Sequence, residues 1–269
     1  MRYDVNLSLL FTELPLLERP AAARAAGFDA VELWWPFAVP VPSDHEIDAL
    51  LRALDDAGVR LVGLNFDAGD MAAGDRGLLS RAAGSARFRA NIDVTVGIAE
   101  VTGCRVLNAL YGNRDRDLDI HAQEELAITN LGLAAEAALR CGATIVVEPL
   151  NSFENPHYPV VSSETALYIV DRVRDQAGVN NVALLADFYH LARMGEDPHT
   201  VIARHARRFG HVQIADAPGR GQPGTGTIPY DSVLDALDGA GYPGYVGLEY
   251  RPMGPSASSF TWLSTKERA

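Results

Sequence analysis

Lysine is almost missing from this chain: of its 269 residues, only Lys266 near the end is one. With no internal lysine, there is no side chain for a Schiff base, for a pyridoxal cofactor or for the GK of a nucleotide-binding loop. Cysteine is nearly as scarce. Cys104 and Cys141 each stand beside a glycine ahead of an apolar run, where they read as small buried fillers and not as the framework of a stapled secreted domain. No apolar stretch is long enough to span a bilayer. The short run Leu7–Phe11, set between Asp4 and Glu13, lacks the basic start of a signal peptide, so a cytoplasmic protein is expected. Basic charge is in deficit as well, with 23 Lys and Arg against 35 Asp and Glu, a formal net charge of −12. Nucleic acid and anionic membrane need clustered cations, so neither is an expected partner, and the excess acid reads as surface solubility.

Glycine, by contrast, is present and regularly placed. An Ala- and Arg-rich helical stretch, a glycine and a short β-branched run recur as AAGFDAVEL, DAGVRLVGL, VTGCRVLNAL, RCGATIVVEPL, QAGVNNVALLAD, RFGHVQIAD and GAGYPGYVGLEY. The glycines are Gly27, Gly58, Gly103, Gly142, Gly178, Gly210 and Gly241, spaced by 31, 45, 39, 36, 32 and 31 residues. Each suits the left-handed position that ends a helix. The helical stretches carry apolar residues three and four apart, as in Ile47, Leu50, Leu51 and Leu54, and the strand runs are almost continuously apolar, as strands covered on both faces should be. With an N-terminal strand added, eight strands are expected near 5–10, 29–34, 61–66, 105–109, 144–148, 182–187, 211–215 and 245–249. Strict alternation in a chain close to the roughly 250 residues of one (β/α)₈ barrel predicts a single TIM-barrel domain over 1–269. The rival, a doubly wound open sheet, lacks its GxGxxG after the first strand. The glycine-rich GRGQPGTG at 219–226 has no lysine to make it a phosphate cradle and reads as a mobile loop over the exit of strand seven.

Side chains at the carboxyl ends of barrel strands share one mouth. Polar groups stand there on four consecutive strands: Glu148 in VVEPL, Asp187 in LLAD, Gln213 in HVQIAD and Glu249 in GLEY, at intervals of 39, 26 and 36 residues. Any one of them could pair with an arginine or cap the next helix. Three carboxylates and an amide oxygen converging on one mouth would repel each other without a cation. An all-oxygen set suits one hard divalent ion, Mg²⁺ or Mn²⁺, with Co²⁺ as an alternative, and no organic cofactor is expected. Asn65 and Asn108 end strands three and four and either line the mouth or start turns. Trp34, Trp35 and Phe37 either wall the pocket or pack on a neighbouring subunit. His211, one pleat below Gln213, reads as a hydrogen-bonded core histidine.

Beyond these strand ends, the sequence resembles the hydroxypyruvate isomerase family of the xylose-isomerase-like barrel superfamily. The resemblance is carried by NLSLLFTELPLLER at 6–19, AAGFDAVEL at 25–33, NFDAGDMAAGDRG at 65–77, VVEPLN at 146–151, DFYH at 187–190, HVQIADAPGRGQPGTG at 211–226 and GLEY at 247–250. Gln213 is its most specific residue, because sugar epimerases of the superfamily usually place histidine there. The resemblance implies that Glu148, Asp187, Gln213 and Glu249 bind the metal and that Glu148 and Glu249 exchange the proton. It also implies that His190, Glu154 and Arg220 touch substrate, and it suggests a homo-oligomer. The implied reaction interconverts hydroxypyruvate and tartronate semialdehyde through an enediolate. A 2-oxo-tetronate isomerase and a ketose 3-epimerase are the nearest alternatives. A metal-dependent phosphodiesterase would need a histidine-rich site and a basic face, and a pure sugar-acid binding protein would not need two proton-transfer groups. Two loop residues depart from the family pattern, His157 where glycine is usual and Thr227 where an acid is usual, in loops expected to border the substrate.

Overall fold

A computed structural model describes residues 1–268. Eight parallel strands close into a barrel in chain order: β1 Arg2–Asn6, β2 Ala30–Leu33, β3 Arg60–Asn65, β4 Val106–Asn108, β5 Thr144–Val147, β6 Val182–Asp187, β7 Phe209–Ile214 and β8 Tyr245–Leu248. The seam is closed by β1 on β8, with Val5 level with Leu248. Helices α1 Arg19–Ala25, α2 Asp44–Ala57, α3 Ala82–Thr102, α4 Ile120–Ala138 and α5 Ser163–Ala177 follow the first five strands. Two short ones, α6 Phe188–Arg193 and α7 Pro198–His205, follow β6, and α8 Tyr230–Gly239 follows β7. Local chemistry starts the longer helices: Ser43 and Glu46 form a reciprocal capping box on α2, while Asp119 and Ser162 cap α4 and α5. No helix of the described residues is long and apolar enough to cross a membrane.

The main apolar core lies between barrel and helices and includes Val5, Leu33, Leu107, Val147, Val212 and Leu248 from the outward pleats. Inside the barrel the apolar filling shrinks to a plug of Val146, Ala183 and Leu185 with Val106 against it. Beside and above that plug the inward pleats are polar: His211 is level with Leu185, and Asp4, Asn6, Glu32, Asn108, Glu148, Asp187, Gln213 and Glu249 are buried with it. The cysteines are buried and unpaired.

The first strand and one repeat glycine depart from expectation. The first strand is Arg2–Asn6 and not 5–10. Leu7, Leu10 and Phe11 are instead a buried turn in which Leu9 and Leu10 donate backbone hydrogen bonds to Asn6, so their apolarity reflects packing under the C-terminal segment. Six of the seven repeat glycines take positive φ, but Gly210 is not one of them. It sits inside β7 at a register shift against β6, and an added Cβ there would come within 2.7 Å of Val146 Cγ1 and 2.8 Å of Ala183 Cβ. Close approach inside the barrel explains that glycine.

The GRGQPGTG segment is not a loose flap. The Asp216 carboxylate accepts the amides of Gly224 (2.9 Å), Gly226 (2.8 Å) and Ile228 (3.1 Å), and the Asp216 amide donates to the Gly221 carbonyl (2.7 Å). The amides that would cradle a phosphate are thereby engaged on a carboxylate of this chain.

Candidate active site

Glu148, Asp187 and Glu249 leave the ends of β5, β6 and β8 and are at most 4% exposed. Together with His190 on α6 they each present a ligand-type atom within 4.8 Å of the others. Gln213 stands level with Asp187 across β6 and β7. The four strand-end residues and His190 are therefore brought to one place. Above them opens a cavity of about 460 Å³, lined by Trp34, Asn65, Arg76, Glu148, His190 and Arg220 among others. Asp187 and Gln213 lie under its floor and are not part of its wall.

Each carboxylate has a different set of partners. Glu148 Oε2 accepts from Asn108 Nδ2 at 2.7 Å, while its Oε1 is 4.0 Å from His190 Nε2. Asp187 caps α6 through Oδ1, which accepts from the Tyr189 amide at 2.8 Å; its buried Oδ2 has no hydrogen-bond partner. Glu249 accepts from Trp34 Nε1 at 2.8 Å and Asn6 Nδ2 at 3.2 Å, and pairs with Arg220 Nη2 at 2.5 Å. Helix capping and arginine pairing therefore both occur here, yet oxygens remain unused. Gln213 Oε1 is the second such atom, because the other end of its amide donates to Glu32 Oε1 at 2.7 Å.

So many carboxyl groups in one buried place resist ionisation. Burial and the charges of Glu249 and Asp187 push Glu148 well above the usual carboxylate range. Burial, then Glu249, lifts Asp187 to about 8. Burial also raises Glu249, but the Arg220 guanidinium beside it works in the opposite direction. Burial opposes the charge of Arg220, and the carboxylates of Glu249, Asp187, Glu148 and Glu154 outweigh that and keep it cationic. His190 goes the other way, held well below its usual value by burial and then by Arg220 and Arg76. Its Nδ1 accepts the Asn151 amide at 3.0 Å, so the neutral ring keeps its proton on Nε2, which faces Asp187 Oδ2 at 3.6 Å. A protonated nitrogen in that position is a donor and not a metal ligand.

The other expected contacts divide. Asn65 lines the cavity; Asn108 does not, and holds Glu148 from below. Glu154 reaches the rim, fixed by Asn151 Nδ2 at 2.9 Å. Arg220 lines the wall but is committed to Glu249 and stacks over Tyr189, 5.4 Å from the ring centre. Trp34 takes the pocket position, while Trp35 and Phe37 pack on each other at 5.1 Å. His157 and Thr227 are themselves exposed and absent from the cavity wall, but their loops reach it as expected, through Glu154, Asn155 and Arg220. Sequence reasoning passed over Glu32 and Arg76. Glu32 accepts from Gln213, from Asn6 at 2.8 Å, and bonds His211 Nε2 at 2.7 Å, lying against Gly63 and Gly247, where a Cβ would come within 3.1 Å and 2.9 Å of it. A charge on an inward pleat of the apolar run AVEL was the available signal.

A family model described as "Xylose isomerase-like TIM barrel" matches residues 20–266. The chain belongs to the xylose isomerase-like TIM-barrel family. A Streptomyces coelicolor protein provisionally named a hydroxypyruvate isomerase is 56% identical, over 100% of this chain and 97% of its own length. The Escherichia coli hydroxypyruvate isomerase is 30% identical over 98% of each chain, and the 2-oxo-tetronate isomerase of Cupriavidus necator 32% over 97% of each. A crystal structure described as AP endonuclease, family 2, from Brucella melitensis superposes with a TM-score of 0.88 at 36% identity, covering 97% of both chains.

Proposed function

We propose that this chain is an isomerase that interconverts hydroxypyruvate and 2-hydroxy-3-oxopropanoate, using one divalent cation. The observation that carries the reading is the buried trio Glu148, Asp187 and Glu249, with Asp187 Oδ2 and Gln213 Oε1 left without partners beneath a cavity that admits a small acid. Two orphaned oxygens in a nest of carboxylates fit a hard cation, which would be held by Glu148, Asp187, Gln213 and Glu249. When bound, such an ion stabilises negative charge developing on the substrate's neighbouring oxygens. The residues of the chain do the rest. One glutamate of the Glu148/Glu249 pair takes the C3 proton, and the other delivers a proton to C2 as the double bond of the enediol shifts. The hydroxyl proton passes from O3 to O2, and the His190 Nε2–H is the donor available to hold that edge. Trp34 and Leu150 line the cavity beside the proton-transfer pair.

The four-carbon 2-oxo-tetronate is the second reading, favoured by a cavity of about 460 Å³, which is roomy for a three-carbon acid. A multi-zinc phosphodiesterase is disfavoured, since one histidine, His190, joins the carboxylates and turns its protonated nitrogen toward them. The test is to strip metal with a chelator, restore Mg²⁺, Mn²⁺ or Co²⁺, and assay both acids. Activity should vanish and return. Glu249→Gln should remain folded and lose at least ~100-fold in turnover, together with solvent-deuterium incorporation into substrate. Chelator-insensitive turnover, or near-native turnover by that variant, would overturn the mechanism.

A further inference from the structure

The motif NFDAGDMAAGDRG carries part of the family resemblance, yet its arginine has had no role. The segment 66–77 folds back over the barrel mouth: the Gly77 amide donates to Ala68 and the Gly112 amide to the Arg76 carbonyl, both at 2.9 Å. That leaves Arg76 half-buried on the cavity wall. Its guanidinium is fastened from behind: Nε donates to Asn155 Oδ1 at 2.6 Å, and Nη1 donates to the carbonyls of Asp75 at 2.6 Å and Met71 at 3.0 Å. All three acceptors are neutral. Among the described residues Nη2 has no acceptor, and no carboxylate pairs with this arginine.

The other arginines of the cavity are unlike it. Arg220 is consumed by Glu249, and the Arg251 side chain is exposed and unanchored. This oriented guanidinium without a counter-charge stands on the same cavity wall as His190 and Glu148. Neutral acceptors, one side-chain amide and two backbone carbonyls, fix its plane and leave Nη2 and the positive charge free for a carboxylate. We propose that Arg76 is the anchor for the carboxylate of an α-hydroxy or α-keto acid bound in this cavity. This deepens the isomerase reading: it rests on that reading for where the substrate's reacting end lies, and it restricts the substrates to acids over neutral sugars.

The test measures binding of D-glycerate, a non-isomerising hydroxy acid, to the full chain loaded with Mn²⁺, by titration calorimetry. Arg76→Gln should weaken glycerate on the order of 10–100-fold, the loss of a charge-assisted pair. Arg76→Lys, which keeps the charge but not the anchoring bonds, should recover part of that and bind glycerate measurably more tightly than Arg76→Gln. Mn²⁺ affinity should be unchanged in both, and Arg251→Met should bind glycerate as the parent does. If Arg76→Gln does not fold, Arg76→Met serves in its place. The proposal is overturned if wild-type protein fails to bind glycerate, or if the Gln variant binds within about twofold of it. It is equally overturned if Lys loses as much as Gln, since the loop scaffold and not the charge would then be responsible. Turnover of hydroxypyruvate is recorded separately: an inactive wild type that still binds glycerate through Arg76 would sink the isomerase reading and leave the anchor standing.

Discussion

Glu32 shows how one buried charge can organise others. Its two oxygens collect Asn6, Gln213 and His211, so the Gln213 amide is held with its nitrogen inward and its oxygen free. If Gln213 is a ligand of the proposed ion, Glu32 orients it from behind, and such a carboxylate typically matters about 10–100-fold in metal affinity. Glu32→Ala should therefore weaken Mn²⁺ binding by roughly that factor, read by paramagnetic resonance titration. Unchanged affinity would detach Glu32 from the site. The same reasoning that picked out Glu148, Asp187, Gln213 and Glu249, a polar residue on an inward pleat of an apolar run, applies to Glu32. Glu32 stands on β2, away from the polar positions on the consecutive strands five to eight, and meets its partner Gln213 only across the barrel. Arg76 had no such signal, being one of many loop arginines until the fold set it over the cavity.

At the level of elements, periodicity located strands two to eight to within a few residues but displaced the first. β1 alternates Tyr3 and Val5 outward with Asp4 and Asn6 inward, so it does not read as a continuous apolar run, whereas the buried turn behind it does. Asp4 is an extreme case: burial, with Glu32 and Glu249 nearby, raises its carboxyl well above the usual range, and neither oxygen has a hydrogen-bond partner. β7 carries a sharper constraint. Gly210→Ala would drive a methyl group into Val146 and Ala183, where backbone and plug meet. Overpacking of this kind costs about 1–3 kcal/mol, so the urea midpoint should fall accordingly while activity per folded molecule persists. A midpoint equal to wild type would show that β7 can shift to make room.

For the whole molecule, the carboxylate nest sets a conflict between fold and charge. In the metal-free protein burial and Glu249 push Asp187 up to about 8, and Glu148 and Glu249 are also raised, so the folded chain binds more protons than the unfolded one between about pH 4 and 8. Folded pKa values above the unfolded ones mean that metal-free stability is highest below that window and falls as pH rises through it. The divalent ion proposed for this nest would take the place of those protons, and its stabilising effect would grow in the same direction. The melting temperature with saturating Mn²⁺ should exceed that in chelator, by a margin that widens from pH 5.5 to about 8, by scanning calorimetry. A margin independent of pH would contradict protonation of the nest.

The chain order of β/α units, the eightfold count and the four polar strand ends were determined by the sequence alone. Each depends on local periodicity or on a residue type out of place in its own run. Which oxygens remain unpaired, which arginine is already paired and which is free, and that Glu32 reaches Gln213 from 181 residues away, were decided only by the closed barrel. The reason is physical: pairing and desolvation depend on distances across the barrel, and those arise when β1 meets β8 and not before.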